Sequence, residues 1–188
     1  MPLQQNIWNN DNLVKVLKEN GIVVMPTDTL YGIVGRAEDR KTVERIYKIR
    51  KRNPEKPCIV LIGDLSELKK FNINLTEMQK NEIAKFTQPT SFIVDCIDEK
   101  FFYLHRGTHT LAFRIPKNEE LLFLLAEVGP LIVPSANLEA LPPSETISEA
   151  RSYFGNQVDL YIDGGEIKGI ASKVIRLNED GAVDVLRD

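Results

Sequence analysis

The sequence predicts an α/β fold, with one twisted mixed β-sheet and flanking helices in a single domain over residues 1–188. Short apolar runs typical of buried strands alternate along the chain with segments whose apolar residues recur at helical spacing. No linker, internal repeat or low-complexity stretch separates these segments. Interleaved helices and strands of this kind form layered α/β domains, and 188 residues are enough to bury a sizeable core.

Six segments combine helical periodicity with capping or terminating residues at their ends. They are residues 11–20, the segment from the capping Asp39 to Asn53-Pro54, residues 64–70, 76–86 and 119–128, and the segment from Thr146 to Gly155. Thr76 with Gln79, and Thr146 with Glu149, have the spacing of a capping box, in which each side chain bonds the backbone of the other residue. These segments are predicted to be helices.

The apolar runs between these helices predict eight strands. They are residues 22–25, 58–62, 91–97, 110–115, 131–134, 158–162, 173–177 and 182–186. The run 110–115 alternates apolar and polar residues, as a half-buried strand does. Asp180-Gly181 joins the last two strands with a residue pair that favours a hairpin turn.

Composition narrows the class of protein. Hydrophobic residues make up 43% of the chain and charged residues 27%, which is typical of a globular protein and not of a disordered one. The N-terminus lacks the pattern of a secretory signal, and no apolar run approaches the roughly 20 residues of a membrane span. We therefore expect a cytoplasmic protein without membrane contact. Cys58 and Cys96 lie in apolar runs, which favours buried structural thiols over a disulfide.

The net charge of −3 argues against a protein that coats nucleic acid. Between Lys41 and Lys56, however, seven basic residues accompany only two acidic ones, Glu44 and Glu55. Such a cluster creates a local positive field suited to phosphate groups. A solvated helix face is an equally good explanation from composition alone.

Three loops that follow or precede predicted strands carry polar side chains: residues 26–32, 50–57 and 133–137. Ligands of open α/β sheets bind at such strand ends. The first loop offers two threonines, the second offers arginines and lysines that suit phosphate oxygens, and the third offers a hydroxyl and a carboxamide. Ordinary turns or a helix cap would explain the first and third loops equally well.

Arg114 lies within the otherwise apolar run 111–116. A buried guanidinium needs a carboxylate partner, supplied either by the protein or by a ligand. No Walker-type phosphate loop is present, and no catalytic triad is supported. His105 and His109 are predicted to be surface-loop residues, because Gly107 between them disfavours a metal-binding helix and no third ligand is evident nearby.

Taken in order, five elements resemble the threonylcarbamoyl-AMP synthase (YrdC-like) family in its single-domain form. They are Pro-Thr-Asp-Thr-Leu-Tyr-Gly at 26–32, Arg-Lys-Arg at 50–52 with Lys56, Ala-Phe-Arg-Ile-Pro at 112–116, Ser-Ala-Asn at 135–137, and the late Ser172. The resemblance spans residues 20–187. It implies a YrdC-like sheet with a concave basic cavity, and a nucleotidyltransferase that joins L-threonine, bicarbonate and ATP into L-threonylcarbamoyladenylate and pyrophosphate. The product would serve threonylcarbamoyladenosine modification of tRNA.

The resemblance also implies roles for individual residues. Threonine would be bound by Thr29, Arg114, Ser135 and Ser172. ATP would be bound by Arg52, Lys56, Thr110, Asn137, Ser144 and Arg187. Arg50 stands where the family has lysine and would still face phosphate, so that Arg50, Arg52 and Lys56 position the reactants and stabilise charge. Mg²⁺ would enter with ATP, without a protein metal site, a protein nucleophile or a tightly bound organic cofactor.

Four departures from the family pattern bear on the nucleotide end. Residues 86–91 (Phe86 to Ser91) lose a glycine, Arg50 replaces lysine, Glu139-Ala140 replaces Ser-Gly, and Lys173 replaces threonine. Two alternatives stay open besides the enzyme. One is a non-catalytic module of the same fold that binds double-stranded RNA or tRNA, and the other is a regulatory or interaction subunit within a maturation complex. The expected partners are the substrates, together with tRNA and downstream threonylcarbamoyl-transfer proteins.

Overall fold

The computed structural model describes residues 7–188. Its strands are β1 (Val23–Pro26), β2 (Tyr31–Arg36), β3 (Ile59–Leu61), β4 (Thr90–Asp95), β5 (Thr110–Arg114), β6 (Leu131–Ile132), β7 (Leu160–Tyr161), β8 (Lys173–Leu177) and β9 (Val183–Arg187). Its helices are α1 (Asp11–Lys18), α2 (Arg40–Arg50), α3 (Glu77–Ile83), α4 (Phe102–His105), α5 (Glu119–Val128) and α6 (Ile147–Phe154). Three 3₁₀ turns cover Leu65–Phe71, Glu99–Phe101 and Gly155–Gln157.

The nine strands form one sheet in the order β7-β1-β2-β6-β3-β5-β4-β8-β9. The pairs β1–β7, β3–β5 and β4–β8 are parallel, and the other neighbours are antiparallel. The α/β fold with a mixed sheet and flanking helices is therefore confirmed. Among residues 7–188 no helix is both long enough and apolar enough to cross a membrane.

Alternate residues of the central strands point to two different cores. Val24 and Ile33 pack with α2 and α6, whereas Val23, Met25 and Val34 pack with α1 and α5. This period of two is what a strand requires when both of its faces are covered. Helices consequently lie on both faces of the sheet, and the apolar runs 22–25 and 131–134 read as continuous for that reason.

The predicted helix ends mostly match the structure. Thr76 and Gln79 form the complete capping box, and Asn118 caps α5. The second box is only half formed: Thr146 accepts from the Glu149 backbone, but the Glu149 carboxylate accepts from the backbone N–H of Glu145 at 2.7 Å. The segment predicted as a helix at 64–70 is a 3₁₀ turn capped by Asp64. In addition, α2 ends at Arg50, before Asn53-Pro54, because Lys51 adopts a left-handed conformation with φ of 51°.

Strand β2 is absent from the strands predicted above, because Gly32 and Gly35 interrupt its apolar run. The structure explains Gly35: a Cβ at this position would lie 2.3 Å from Cγ2 of Thr42 on α2. The helix thus packs directly on the backbone of β2. Strands β1 and β2 form a hairpin in which Pro26 pairs with Tyr31, and the loop 26–32 connects them. The close contact between α2 and β2 therefore holds this loop in place.

Candidate functional site

A cavity of about 530 Å³ opens over the exposed side of β5. Thr110, Ala112 and Arg114 of β5 face it, while the alternate residues Leu111 and Phe113 belong to the core on the opposite face. The alternation that predicted a half-buried strand therefore produces the floor of the cavity. The charged side chains of the wall are Arg52, Arg114 and Arg187. Its hydroxyl groups belong to Tyr31 and to Thr27, Thr29, Thr108, Thr110, Ser135 and Ser172.

The loop after β1 divides its polar residues between support and cavity. Thr27 donates its hydroxyl to the Leu30 carbonyl at 2.8 Å and accepts from the backbone N–H of Thr29 at 3.2 Å, so it closes a turn. Tyr31 donates to the Gly165 carbonyl and accepts from the Gly164 N–H, both at 2.8 Å. Burial raises the pKa of the Tyr31 hydroxyl. Both residues line the cavity, but their polar atoms are used by the fold.

Arg114 is 3% exposed and its partner carboxylate is supplied by the protein. Its Nε and Nη2 donate to the two carboxylate oxygens of Asp28 at 3.1 and 2.8 Å. Nη2 also donates to Thr29 Oγ1 at 3.3 Å, and Nη1 donates to Ser91 and Ser172 at 3.4 and 3.2 Å. Each of the five N–H groups thus has a protein acceptor. The Nη edge meets Thr29 and Ser172, two hydroxyls of the cavity wall.

Ser172 connects two of the three arginines of the wall. Its hydroxyl accepts from Arg114, shares a 2.8 Å hydrogen bond with Ser91, and lies 3.5 Å from Nη2 of Arg187. Arg187 also donates from Nε and Nη2 to the Ser172 carbonyl at 3.0 and 2.7 Å. Burial, together with the positive charge of Arg114, lowers the pKa of Arg187. Two cations therefore converge on one serine.

Arg50 does not line the cavity. It is 2% exposed, and it donates from Nε to the Asn137 carbonyl at 2.9 Å and from Nη2 to Asn137 Oδ1 at 2.8 Å. Ser135 donates to the same Oδ1 at 2.6 Å, while its own oxygen lies 3.5 Å from Arg50. Burial and the charge of Arg52 lower the pKa of Arg50. The contacts of Arg50 place it behind the Ser-Ala-Asn loop, where it fixes the loop from inside.

Arg52 lines the cavity at the other side. Its Nε and Nη2 donate to the carbonyls of Lys56 and Pro57 at 3.1 and 2.9 Å, which pins the guanidinium to this loop. The Glu139 carboxylate lies 3.7 Å from Nη1 of Arg52 and 3.3 Å from Nζ of Lys56. Neither Lys56 nor Glu139 belongs to the cavity wall.

The predicted site residues therefore fall into two groups. Those in the wall of the cavity are Thr29, Arg52, Thr110, Arg114, Ser135, Ser172 and Arg187. Those outside the wall are Arg50, Lys56, Asn137 and Ser144. Ser144 is buried and donates to the Ala136 carbonyl at 2.6 Å. Asn137 and Ser144 thus shape the loop that presents Ser135.

Three residues of this site had no role assigned in the sequence: Asp28, Ser91 and Glu139. One signal could have found Asp28, because the requirement of Arg114 for a carboxylate pointed to an acidic residue in another loop of the site. Ser91 is the hydroxyl that the departing segment 86–91 retains, and it reaches both Arg114 and Ser172. Lys173, a further departure, pairs with Asp188 at 2.6 Å.

The prediction that both histidines lie in a surface loop is wrong for His105, which is fully buried as the last residue of α4. Its buried neighbours Phe101, Tyr103 and Leu104 draw the segment into the core. The structure also brings Glu99 near both histidines, with potential ligand atoms within 4.8 Å of one another. However, His105 Nδ1 accepts from the Gly107 N–H at 3.1 Å. A metal-bound histidine uses one ring nitrogen for the metal ion and donates a hydrogen bond from the other. The acceptor role of His105 Nδ1 does not match this pattern.

Both cysteines are buried and free, as the sequence predicted. Burial raises the pKa of the Cys96 thiol to about 11. It also raises the pKa of Cys58, a residue of the cavity wall, although the charge of Arg52 opposes the rise. Thiolate chemistry at neutral pH is therefore disfavoured at both positions.

Comparison with known proteins shows the family of the chain. The family model Sua5_yciO_yrdC, described as "Telomere recombination", matches residues 15–188. A threonylcarbamoyl-AMP synthase of Bacillus subtilis (strain 168) is 29% identical over 169 residues, which cover 88% of this chain and 49% of that protein.

Two solved structures share the fold. Pyrococcus abyssi Sua5 complexed with L-threonine has a TM-score of 0.81 at 26% identity, covering 96% of this chain and 53% of that one. Escherichia coli YciO has a TM-score of 0.80 at 26% identity, covering 100% of this chain and 91% of that one. The chain thus spans about half the length of the Bacillus and Pyrococcus relatives and nearly all of YciO. Because the family model covers all but the first 14 residues, the chain belongs to the Sua5/YciO/YrdC family.

Proposed function

We propose that this protein is a nucleotidyltransferase that forms L-threonylcarbamoyladenylate and pyrophosphate from L-threonine, bicarbonate and ATP, for the threonylcarbamoyladenosine modification of tRNA. One observation carries the proposal. The wall of a single cavity contains the hydroxyl cluster around Arg114 and also the cation Arg52, which is held by a different loop, and these would suit an amino acid and a nucleotide. The names of the Bacillus synthase and of the Pyrococcus complex with L-threonine support this reading.

The threonine end would consist of Thr29, Arg114, Ser135 and Ser172. Asp28 accepts from Nε and Nη2 of Arg114, and the remaining N–H groups also have protein acceptors. A ligand carboxylate would therefore approach the hydroxyls that lie along the Nη edge. The hydroxyls of Thr29 and Ser172 accept hydrogen bonds from that edge. A hydroxyl that accepts from a cation keeps its own proton for another acceptor. A ligand carboxylate in the cavity would accept hydrogen bonds from both hydroxyls and would also be attracted by the positive charge of Arg114.

The ATP end would use Arg52, Thr110 and Arg187 in the wall, with Lys56 alongside. Arg52 is already fixed by two backbone carbonyls, so little side-chain entropy is lost when it binds a phosphate. Asn137 and Ser144 would act through the loop that carries Ser135, and Arg50 would hold this loop in place. Arg50 would then position the reactants without touching phosphate.

The reaction itself needs no protein nucleophile. The amine of threonine and bicarbonate give a carbamate with loss of water, and a carbamate oxygen attacks the α-phosphorus while pyrophosphate departs. The protein's contribution would be alignment of the two substrates and stabilisation of the charge on the leaving group. Arg52 and Lys56 would be the cations that neutralise that charge. Mg²⁺ would enter as part of the ATP substrate and would help to neutralise its phosphates.

Threonine-dependent release of pyrophosphate tests the proposal. We expect release only when ATP with Mg²⁺, L-threonine and bicarbonate are all present, measured with a coupled pyrophosphate assay and omission controls. Arg52→Ala should raise the ATP concentration required, whereas Lys48→Ala removes an exposed cation of α2 that lies outside the cavity and serves as the matched control.

Absence of threonine-dependent release would refute the enzyme. If the protein instead bound tRNA with an affinity falling steeply as salt rises, the RNA-binding alternative would replace it.

A further inference from the structure

The carboxylate of Glu139 lies against the two cations that the proposed function assigns to phosphate. Its oxygens are 3.7 Å from Arg52 and 3.3 Å from Lys56. The Glu139 backbone N–H donates to the Arg50 carbonyl at 2.9 Å, which ties this residue to the end of α2. The next residue, Ala140, has φ of 67°. Glu139 therefore stands on a fixed turn beside the cation pair.

Within residues 7–188, the ion pairs of Arg52 and Lys56 all end on Glu139. Both distances exceed the 2.7–2.9 Å typical of close charge-assisted hydrogen bonds. The side chain of Lys56 is 62% exposed and that of Glu139 is 28% exposed. The Arg52 side chain is only 18% exposed, but its pair with Glu139 is the longer of the two. A loose, exposed pair such as that of Lys56 contributes little to stability, and the length of the Arg52 pair weakens it as well. A stronger anion could consequently displace this carboxylate at small cost.

We propose that Glu139 is a resident anion of the phosphate subsite: its carboxylate occupies Arg52 and Lys56 until the phosphates of a ligand displace it, so Glu139 determines how tightly the site holds polyphosphate. The inference rests on the phosphate role of Arg52 and Lys56 in the proposed function. Glu139 thereby lowers the affinity for every ligand that uses these two cations, and it leaves the threonine end unaffected.

A second role of Glu139 follows from the buried Arg50. This guanidinium is 2% exposed, and within residues 7–188 no carboxylate forms a hydrogen bond with it. Burial and the positive charge of Arg52 both lower its pKa. The negative charge of Glu139 offsets that repulsion in the empty site. Phosphate would take over this role when it binds. Removing the charge of Glu139 should therefore slightly lower the stability of the unliganded protein and raise its affinity for phosphate. These two effects have opposite signs.

The experiment measures binding of inorganic pyrophosphate by calorimetry, without Mg²⁺ and at low salt. Glu139→Gln keeps the size of the side chain and removes its charge. We expect the Kd for pyrophosphate to fall by about two- to five-fold, the range that corresponds to the loss of one exposed ion pair. The melting temperature of the unliganded variant should fall. Glu55→Gln, which removes an exposed carboxylate from the loop that carries Arg52 and Lys56, is the matched control and should leave both quantities nearly unchanged.

Several results would overturn the inference. These are an unchanged or higher Kd in Glu139→Gln, an equal fall in Glu55→Gln, and no measurable pyrophosphate binding to either variant or to the unmodified protein. Tighter binding without Mg²⁺ but weaker binding with it would also do so, because Glu139 would then assist the metal ion instead of competing with phosphate. Threonine-dependent pyrophosphate release by the unmodified protein is scored separately, so either proposal can fail while the other stands.

Discussion

Arg114 of the cavity wall forms an ion pair with Asp28, and the two side chains are 4% and 8% exposed. A buried pair of this kind contributes little net stability, but removal of one partner strands the other charge. The pair instead fixes the guanidinium, so that Thr29 and Ser172 meet its Nη edge in one geometry. Arg114 is therefore a candidate ligand contact, and it also holds the other residues of the proposed threonine end in position.

Arg114→Ala should have two separable effects. Stability should fall by about 3 kcal/mol, because Asp28 is left buried without its cation, and the threonine concentration for half-maximal pyrophosphate release should rise about tenfold or more. The double variant Asp28→Asn/Arg114→Ala should regain part of the stability but none of the threonine affinity. Urea unfolding and the pyrophosphate assay measure the two effects. A change in the ATP requirement alone would show that Arg114 does not belong to the threonine end.

At the scale of elements, strand β2 and helix α2 are in close contact at Gly35, where a Cβ would lie 2.3 Å from Cγ2 of Thr42. The contact carries the hairpin that ends in the loop 26–32, and α2 ends at Arg50, which holds the Ser-Ala-Asn loop. Two loops of the cavity therefore depend on one packing contact between a helix and a strand.

Gly35→Ala should destabilise the protein by about 1–3 kcal/mol, because the new methyl group would overlap Thr42. Gly63→Ala is the matched control, since its Cβ would find its nearest neighbour at 3.5 Å and Gly63 has no positive φ. Urea unfolding compares the two variants. Equal losses of stability would contradict the packing argument and would point to a general cost of replacing glycine.

The same elements show what could be predicted from sequence. Helix α5 was predicted to the residue, because Asn118 caps it, Gly129 ends it and its apolar residues leave no competing pattern. Strand β2 escaped because its glycines serve a contact with α2, which local sequence cannot reveal. His105 was misplaced for a similar reason, since a short polar segment became buried through the aromatic residues before it.

The candidate site follows the same rule. The family pattern identified seven residues that the fold places in one wall, among them Thr29, Arg114 and Ser172. It gave no indication that Arg50 lies behind that wall, or that Asp28 and Glu139 already occupy two of its cations. Which side chain contacts a given cation depends on distances in the folded structure, and local sequence does not contain those distances.

At the scale of the whole molecule, Asp159 joins distant parts of the chain beside the edge strand β7. Its carboxylate accepts from the Ile22 N–H at 2.7 Å and pairs with Arg45 of α2 at 2.7 Å. The hydrogen bond from Arg45 and, to a smaller extent, the one from Ile22 hold the pKa of Asp159 below its usual value. Partial burial opposes this effect without cancelling it. The link therefore depends on the charged form of the carboxyl group.

Because the folded-state pKa is lowered, the contribution of Asp159 is fully present above the ordinary aspartate pKa of about 3.9 and is lost as pH falls through the lower folded value. Asp159→Asn should cost about 1 kcal/mol or less at pH 7. The difference from the unmodified protein should shrink towards pH 3, as measured by urea unfolding at both values. A difference independent of pH would mean that the hydrogen-bond geometry, and not the charge, is what matters.

The order of the strands has a kinetic consequence. Strand β6 lies between β2 and β3, and β8 pairs with β4, so neighbours in the sheet are separated by long stretches of chain. Folds of such high contact order close slowly, since loop entropy is lost before the distant pairings form. Thr29 follows β1, Arg114 is the last residue of β5, and Ser172 immediately precedes β8. During refolding, ligand affinity should consequently emerge in the final, slowest phase, after most of the helical signal has returned.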